Sequence, residues 1–130
     1  MARQPVQIHV YLYREKDGRN EYAIFQRADD TFCWQGISGG LEDGETEEQA
    51  ARRELFEETG LTTAPDAGKR AVTEYPLSPF GRKQLVIFTG KAEGSLKLRA
   101  GENRASVWVT AEKLKTYLYP NTAAACERLI

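Results

Sequence analysis

The sequence predicts a mixed α/β domain of the α+β kind, a mixed sheet with helices packed on it. Three observations lead there: alternating apolar segments near the N-terminus, one strongly capped helix in the middle, and further strands and helices after it. At 130 residues the chain is the size of one domain, so residues 1–130 are read as a single unit. Hydrophobic residues at 41% and charged residues at 28% are ordinary for a globular protein and exclude a disordered or collagen-like chain.

Val6, Ile8, Val10 and Leu12 alternate with Gln7, His9, Tyr11 and Tyr13, which predicts a strand with one buried face. His9 falls on the other face and reads as an ordinary strand residue. The turn Lys16-Asp17-Gly18-Arg19-Asn20 and the segment Tyr22-Ala23-Ile24-Phe25-Gln26 complete a hairpin. A polar loop then leads to Phe32-Cys33-Trp34. Thr46 and Gln49 form a capping box and Gly60 stands at a C-terminal cap, so a helix is expected from about Glu47 to Thr59. Strands follow at 71–75, 83–91 and 105–110, then a short helix at 111–118. Asn121 is the expected cap of a last helix reaching Leu129.

Cys33 and Cys126 form no C-x-x-C pair and His9 is the only histidine, which argues against a zinc site; reduced thiols are expected. No apolar signal core and no run of 18 apolar residues is present, so the expectation is a cytoplasmic chain without a membrane partner. The net charge of −1 lacks the basic excess of a duplex-binding domain, and no stable nucleic acid complex is expected. That total conceals a split. Between Glu42 and Glu58 eight acids face only Arg52 and Arg53, a local charge of −6, leaving +5 on the rest of the chain.

On the central helix, Glu54, Glu57 and Glu58 fit within an arc of about 100°, with Glu47 on the same stripe. Ala51, Leu55 and Phe56 lie toward the other side and are expected to face a core. Like charges at these spacings oppose helix formation by a few tenths of a kcal/mol per pair. A solvated acidic face and a cation site account for the helix alone equally well. The preceding segment, Ser38-Gly39-Gly40-Leu41-Glu42-Asp43-Gly44-Glu45, reads as a glycine-rich loop whose backbone suits anions or aims carbonyls at a metal. It is neither a phosphate loop of the G-x-x-x-x-G-K-[ST] type nor an EF-hand, which would place Gly39, Leu41 and Ala50 at calcium-ligand positions.

Gly39, five residues, Glu45, seven residues, then Arg53-Glu54-Leu55-Phe56-Glu57-Glu58-Thr59-Gly60-Leu61 resembles the Nudix box, G-x5-E-x7-R-E-U-x-E-E-x-G-U with U aliphatic. Every specified position in residues 39–61 is filled, which chance gives at roughly 10⁻⁹ or below per window. The order of elements around the box is also similar to the Nudix domain. The resemblance implies the Nudix fold, a central mixed β-sheet sandwiched between α-helices. It implies magnesium, or manganese in its place, and hydrolysis of a nucleoside diphosphate linked to another group by metal-activated water.

By the family pattern, Glu57 and Glu58 would be metal ligands, Glu54 a further ligand or the base that positions water, and Arg53 the partner that orients them. Glu45 would stand just behind. Ser38, where many members have glycine, would offer its backbone carbonyl. Glu102, six residues before Trp108, resembles an acid that some triphosphate pyrophosphohydrolases use as ligand or base; a loop carboxylate in water is the competing reading, and Glu74 is the reserve. On the substrate side the candidates are Arg27, Trp34, Gly39, Gly40, Phe80, Arg82 and Lys83, with Trp34 favoured as a brace and Arg27 open between phosphate contact and a surface ion pair.

The segments around Gln26-Arg27 and Trp34-Gln35 are most similar to nucleoside triphosphate and dihydroneopterin triphosphate pyrophosphohydrolases, with dinucleoside tetraphosphate hydrolases next. A nucleotide-sensing module that does not cleave is the reading of another class, and the complete box weighs against it. An isopentenyl diphosphate isomerase shares the fold, but catalytic Cys and Glu residues are not clearly supplied here. A homodimer stays open.

Overall fold

The computed structural model describes residues 3–27, 33–75, 83–92 and 103–130. Its spine is a long strand, β1 (Arg3–Lys16), which pairs with three others. At its C-terminal end β1 turns into β2 (Arg19–Arg27) through Asp17-Gly18, where both residues have positive φ and Lys16 pairs with Arg19. This two-residue turn suits the twist of the flanking strands, and glycine takes the left-handed position without strain. Along residues 3–10 β1 instead pairs antiparallel with β4 (Ile37–Glu42), and on its other side it pairs in parallel with β6 (Lys83–Lys91). The short β3 (Trp34–Gln35) and β7 (Asn103–Thr110) pair with β2, and β5 (Ala71–Tyr75) closes the far edge on β6. One parallel pairing among antiparallel ones makes the seven-stranded sheet mixed, as expected.

Helices cover both faces. On one side α1 (Glu47–Thr59) sets Ala50, Ala51 and Leu55 against Ile8, Val10, Leu12, Phe25, Ile37 and Val86. Full burial of a side chain like Leu55 stabilises the fold by about 2 kcal/mol. On the other side α2 (Ala111–Tyr117) and α3 (Pro120–Glu127) set Leu114, Ala123, Ala125 and Cys126 against Tyr11, Tyr22, Ile24, Leu85 and Ile87. The α1 ends behave as the sequence predicts: the Thr46 side chain accepts from the Gln49 amide, the Gln49 side chain accepts from the Thr46 amide, and Gly60 caps the C-terminus with φ 75°.

Four expectations need correction. Strand β1 is covered on both faces, with Gln7, His9 and Tyr11 buried as well as Ile8, Val10 and Leu12, because it lies in the middle of the sheet under helices on either side. Phe56 is 53% exposed and faces no core: the apolar residues that α1 buries are Ala50, Ala51 and Leu55. Asn121 caps nothing; α3 begins one residue earlier with Pro120 at its first turn, and the Asn121 side chain donates to the Glu74 carbonyl. That helix also ends at Glu127, short of Leu129. Finally, Ser38-Gly39-Gly40 is strand β4 in register with β1, since His9 pairs with Ser38 and Gln7 with Gly40, so the glycine-rich segment becomes a loop only after Glu42.

Both cysteines are buried free thiols, and burial pushes the Cys126 thiol up to about 12. His9 is also buried; burial first, then the nearby Arg27 charge, lower its pKa to about 3, so the ring is neutral. Among the described residues no helix is long and apolar enough to cross a membrane.

Candidate functional site

The site is built where α1 crosses β4. Each α1 turn advances 3.6 residues, so Glu54 and Glu58 lie one above the other beside the buried stripe, while Arg53 and Glu57 stand at its solvent edge. Glu54 and Glu58 are buried, at 5% and 6% exposure, and Glu57 is largely exposed. The acidic arc is therefore not simply a solvated face: two of its three carboxylates are turned into the protein against β4.

Gly39 makes this approach possible. A Cβ added there would overlap the Glu54 carboxyl group, so no residue with a side chain fits between the strand and the helix without displacing Glu54. The family spacing from Gly39 to Glu54 thus has a steric cause. One residue earlier, the Ser38 amide donates to Glu58 Oε2 at 3.2 Å.

Arg53 organises the carboxylates. Its Nε and Nη2 grip Glu45 in a two-point contact at 2.7 and 3.0 Å, its Nη1 donates to Glu54 at 2.6 Å and reaches Glu57 at 3.4 Å, and its Nη2 also donates to the Gly40 carbonyl at 2.9 Å. These contacts match the five N–H donors of a guanidinium, a fork that lysine lacks. The hydrogen bond to Glu45 is the largest influence raising the Arg53 pKa further above its already high value, burial opposes it, and Glu54 adds to it. Glu45 is itself fixed because its Oε1 accepts from the Glu42 amide at 3.0 Å. Glu42 adds a looser ion pair to Arg53 at 3.7 Å. Arg53 therefore clamps the loop before α1 to the middle of that helix.

Most of the remaining sequence candidates stand apart from the clamp. Glu47 leaves the cluster, since Arg70 holds it in a two-point salt bridge at 2.6 and 2.9 Å. Trp34 packs on the α2/α3 side with its ring edge against Tyr117 at 5.6 Å between centroids, which favours the bracing role. Arg27 ends β2 half-buried and acts electrostatically on His9. Gly40 contributes its carbonyl to Arg53, and Lys83 opens β6 in register with Tyr75. Glu74 is exposed on the edge strand β5. Glu102, Phe80 and Arg82 lie outside the described residues.

Among the described residues no three His, Cys, Asp or Glu side chains form a ready-made metal cage. The donor set nonetheless fits a hard divalent cation. Glu54, Glu57 and Glu58 supply carboxylate oxygens on one helix, two of them buried, and such ions accept few protein ligands while keeping waters and substrate phosphate oxygens. Sequence reading missed Gln7, whose amide donates to the Ser38 hydroxyl at 2.7 Å. Its place in an alternating strand gave only a polar outward residue, and no spacing rule pairs it with Ser38.

A helix whose carboxylates are clamped by arginine over a glycine strand, in a sheet covered on both faces, defines an α+β domain with a buried acidic cluster. Comparison with known proteins carries the assignment further: the family model described as NUDIX domain matches residues 3–129, and the chain belongs to that family. It is 43% identical over 59 residues to the dihydroneopterin triphosphate diphosphatase of Escherichia coli K12, a match spanning 45% of this chain and 38% of that relative's length. The structure resembles the Ap4A hydrolase of C. elegans in a binary complex, with TM-score 0.84 at 20% identity over 95% of this chain and 93% of the other. It also resembles the E. coli dihydroneopterin triphosphate pyrophosphohydrolase, with TM-score 0.78 at 24% identity over 98% and 96%. At these identities the two structural likenesses establish the fold.

Proposed function

We propose that this chain is a magnesium-dependent hydrolase that cleaves a diphosphate linkage in a nucleoside triphosphate or a similar nucleotide-like polyphosphate. The observation that carries the reading is the buried pair Glu54 and Glu58 beside Glu57, with Glu54 and Glu57 bonded to Arg53 and Glu58 to the Ser38 amide. Buried carboxylates are costly unless paired, and a bound cation would add to the compensation that Arg53 gives Glu54. Glu57 and Glu58 would hold the ion, with Glu54 as a further ligand or as the base that orients water, and with the Ser38 carbonyl as a candidate ligand. When bound, Mg2+ or Mn2+ supplies charge neutralisation on the phosphoryl oxygens and lowers the pKa of coordinated water.

The residues of this chain do the rest. Arg53 keeps Glu54 and Glu57 from turning away and sets the loop through Glu45. Glu54, if it acts as base, accepts a proton from the attacking water at its carboxylate. Cations carried elsewhere on the chain, among them Arg27, Arg82 and Lys83, are assigned to the phosphate chain, and Phe80 to the base or ring. Glu102 stays a proposed ligand or base from the second half of the chain. The likeness to a dihydroneopterin triphosphate diphosphatase supports a triphosphate substrate.

The reading is tested by incubating purified protein and Mg2+ with nucleoside triphosphates, dihydroneopterin triphosphate, dinucleoside polyphosphates and nucleotide sugars. Pyrophosphate from a triphosphate is the expected product. Two nucleotides from a symmetric dinucleotide would move the assignment to the tetraphosphate hydrolases. Nucleotide binding without any product would move it to a sensing module.

A further inference from the structure

Ser38 ties together groups on the two faces of the sheet. Its amide donates to Glu58 Oε2 at 3.2 Å, on the α1 side. Its hydroxyl accepts from the Gln7 side-chain amide at 2.7 Å. Gly39 points at Glu54, so its neighbour Ser38 projects to the opposite face, and Gln7 alternates with Val6 and Ile8, which pack on the α1 side. Gln7 is Cα-paired with Gly40, which makes Ser38 its diagonal neighbour on β4, within reach of a long side chain. Gln7 is only 8% exposed, so water competes little for this bond.

We propose that Gln7 is a positioning residue for Glu58, acting across the sheet through Ser38. The inference rests on the reading of Glu58 as a metal ligand. The peptide at Ser38 has its amide engaged by the Glu58 carboxylate, and its rotation about the strand axis sets where that carboxylate is held. The β-ladder to His9 limits this rotation, and the Gln7 bond fixes the side chain of the same residue. Losing it frees Ser38 to adjust within the ladder and lets Glu58 drift from the position set for a cation. The sheet itself survives, since the hydrogen bonds of β1 with β4 and β6 do not involve the Gln7 side chain.

The test is Mn2+ binding to substrate-free protein, followed by electron paramagnetic resonance of the free ion, with thermal unfolding in EDTA run beside it. Gln7→Leu and Ser38→Ala should each weaken Mn2+ binding by roughly tenfold, the scale for groups that orient a ligand from behind. Their unfolding midpoints in EDTA should fall by no more than a few degrees, the effect of one lost hydrogen bond. The double variant should bind no more weakly than either single one, because both changes break one link. A merely structural role for Gln7 would lower the midpoint and leave Mn2+ affinity alone, which overturns the proposal, as do two effects that multiply in the double variant. If Gln7→Leu fails to fold, Ser38→Ala decides the question by itself, since normal Mn2+ affinity there also overturns the proposal. A wild type that binds no Mn2+ would remove the metal-site reading together with this inference, whereas unchanged affinity in both variants removes the inference alone.

Discussion

Replacing Arg53 with alanine should destabilise the protein by about 3 kcal/mol, because removing one partner of a largely buried charge pair costs roughly 3–5 kcal/mol and Arg53 keeps some contact with water. The magnitude follows from the contacts. The side chains of Arg53, Glu45 and Glu54 are 22%, 17% and 7% exposed, so the Glu45 and Glu54 bonds are worth roughly 1.5–3 kcal/mol each before water takes its share. The contact to the exposed Glu57 at 3.4 Å adds under about 1 kcal/mol. The deletion also leaves the Glu54 carboxylate buried without its Arg53 partner, and it leaves Glu42, Glu45 and Glu57 to repel one another. The assay is urea unfolding in EDTA near neutral pH. Adding Glu54→Gln to the Arg53→Ala variant should restore about 1–2 kcal/mol by removing a buried charge that has lost its Arg53 contact, so the two changes are not additive. An Arg53→Ala cost below about 1 kcal/mol, or strict additivity with Glu54→Gln, would refute the clamp.

Gly39→Ala should cost about 1–3 kcal/mol and disable any Glu54-dependent activity, since the new methyl group overlaps that carboxyl; wild-type stability and turnover would count against the close approach. His9 gives a pH prediction. Its folded pKa of about 3 lies below the ordinary 6.5, so above about pH 6.5 its contribution is intact. Between 6.5 and 3 only the unfolded chain takes up the proton, so stability falls by about 1.4 kcal/mol per pH unit. A His9→Gln variant, unfolded in urea at pH 6.5 and pH 4.5, should lose about 2 kcal/mol less over that interval than the wild type. Equal losses would mean that the ring is already protonated in the fold or is not buried. Thr46→Ala should cost about 1 kcal/mol by removing the α1 cap, and no loss in thermal midpoint would contradict the capping box.

Local chemistry makes α1 legible in the sequence: Thr46, Gln49 and Gly60 mark its ends, and the spacing of the glutamates places them on one side. Periodicity reveals β1 but hides its covering on both faces, because the polar or amphipathic Gln7, His9 and Tyr11 alternate with Ile8, Val10 and Leu12 as in a strand with one solvated face. Ser38-Gly39-Gly40 read as loop because glycine disfavours strands, yet here the strand needs glycine to let Glu54 approach. Phe56 was misplaced for a related reason, as its aromatic ring marks it for a core that the α1 stripe does not reach. The partners of Arg53 were only partly readable. Glu45 follows from the box, whereas the Gly40 carbonyl and the Gln7 link to Ser38 are tertiary pairings with no local signature.

The central claim is that the carboxylates of α1 hold a divalent cation for phosphate chemistry. Its most direct test is product analysis with the polyphosphate panel, comparing wild type with Glu57→Gln and Glu58→Gln at saturating substrate and low Mg2+. The expected result is Mg2+-dependent release of pyrophosphate by the wild type, a loss of about a hundredfold or more in each variant, and unfolding midpoints in EDTA that show both still folded. Full turnover in both variants would contradict the claim.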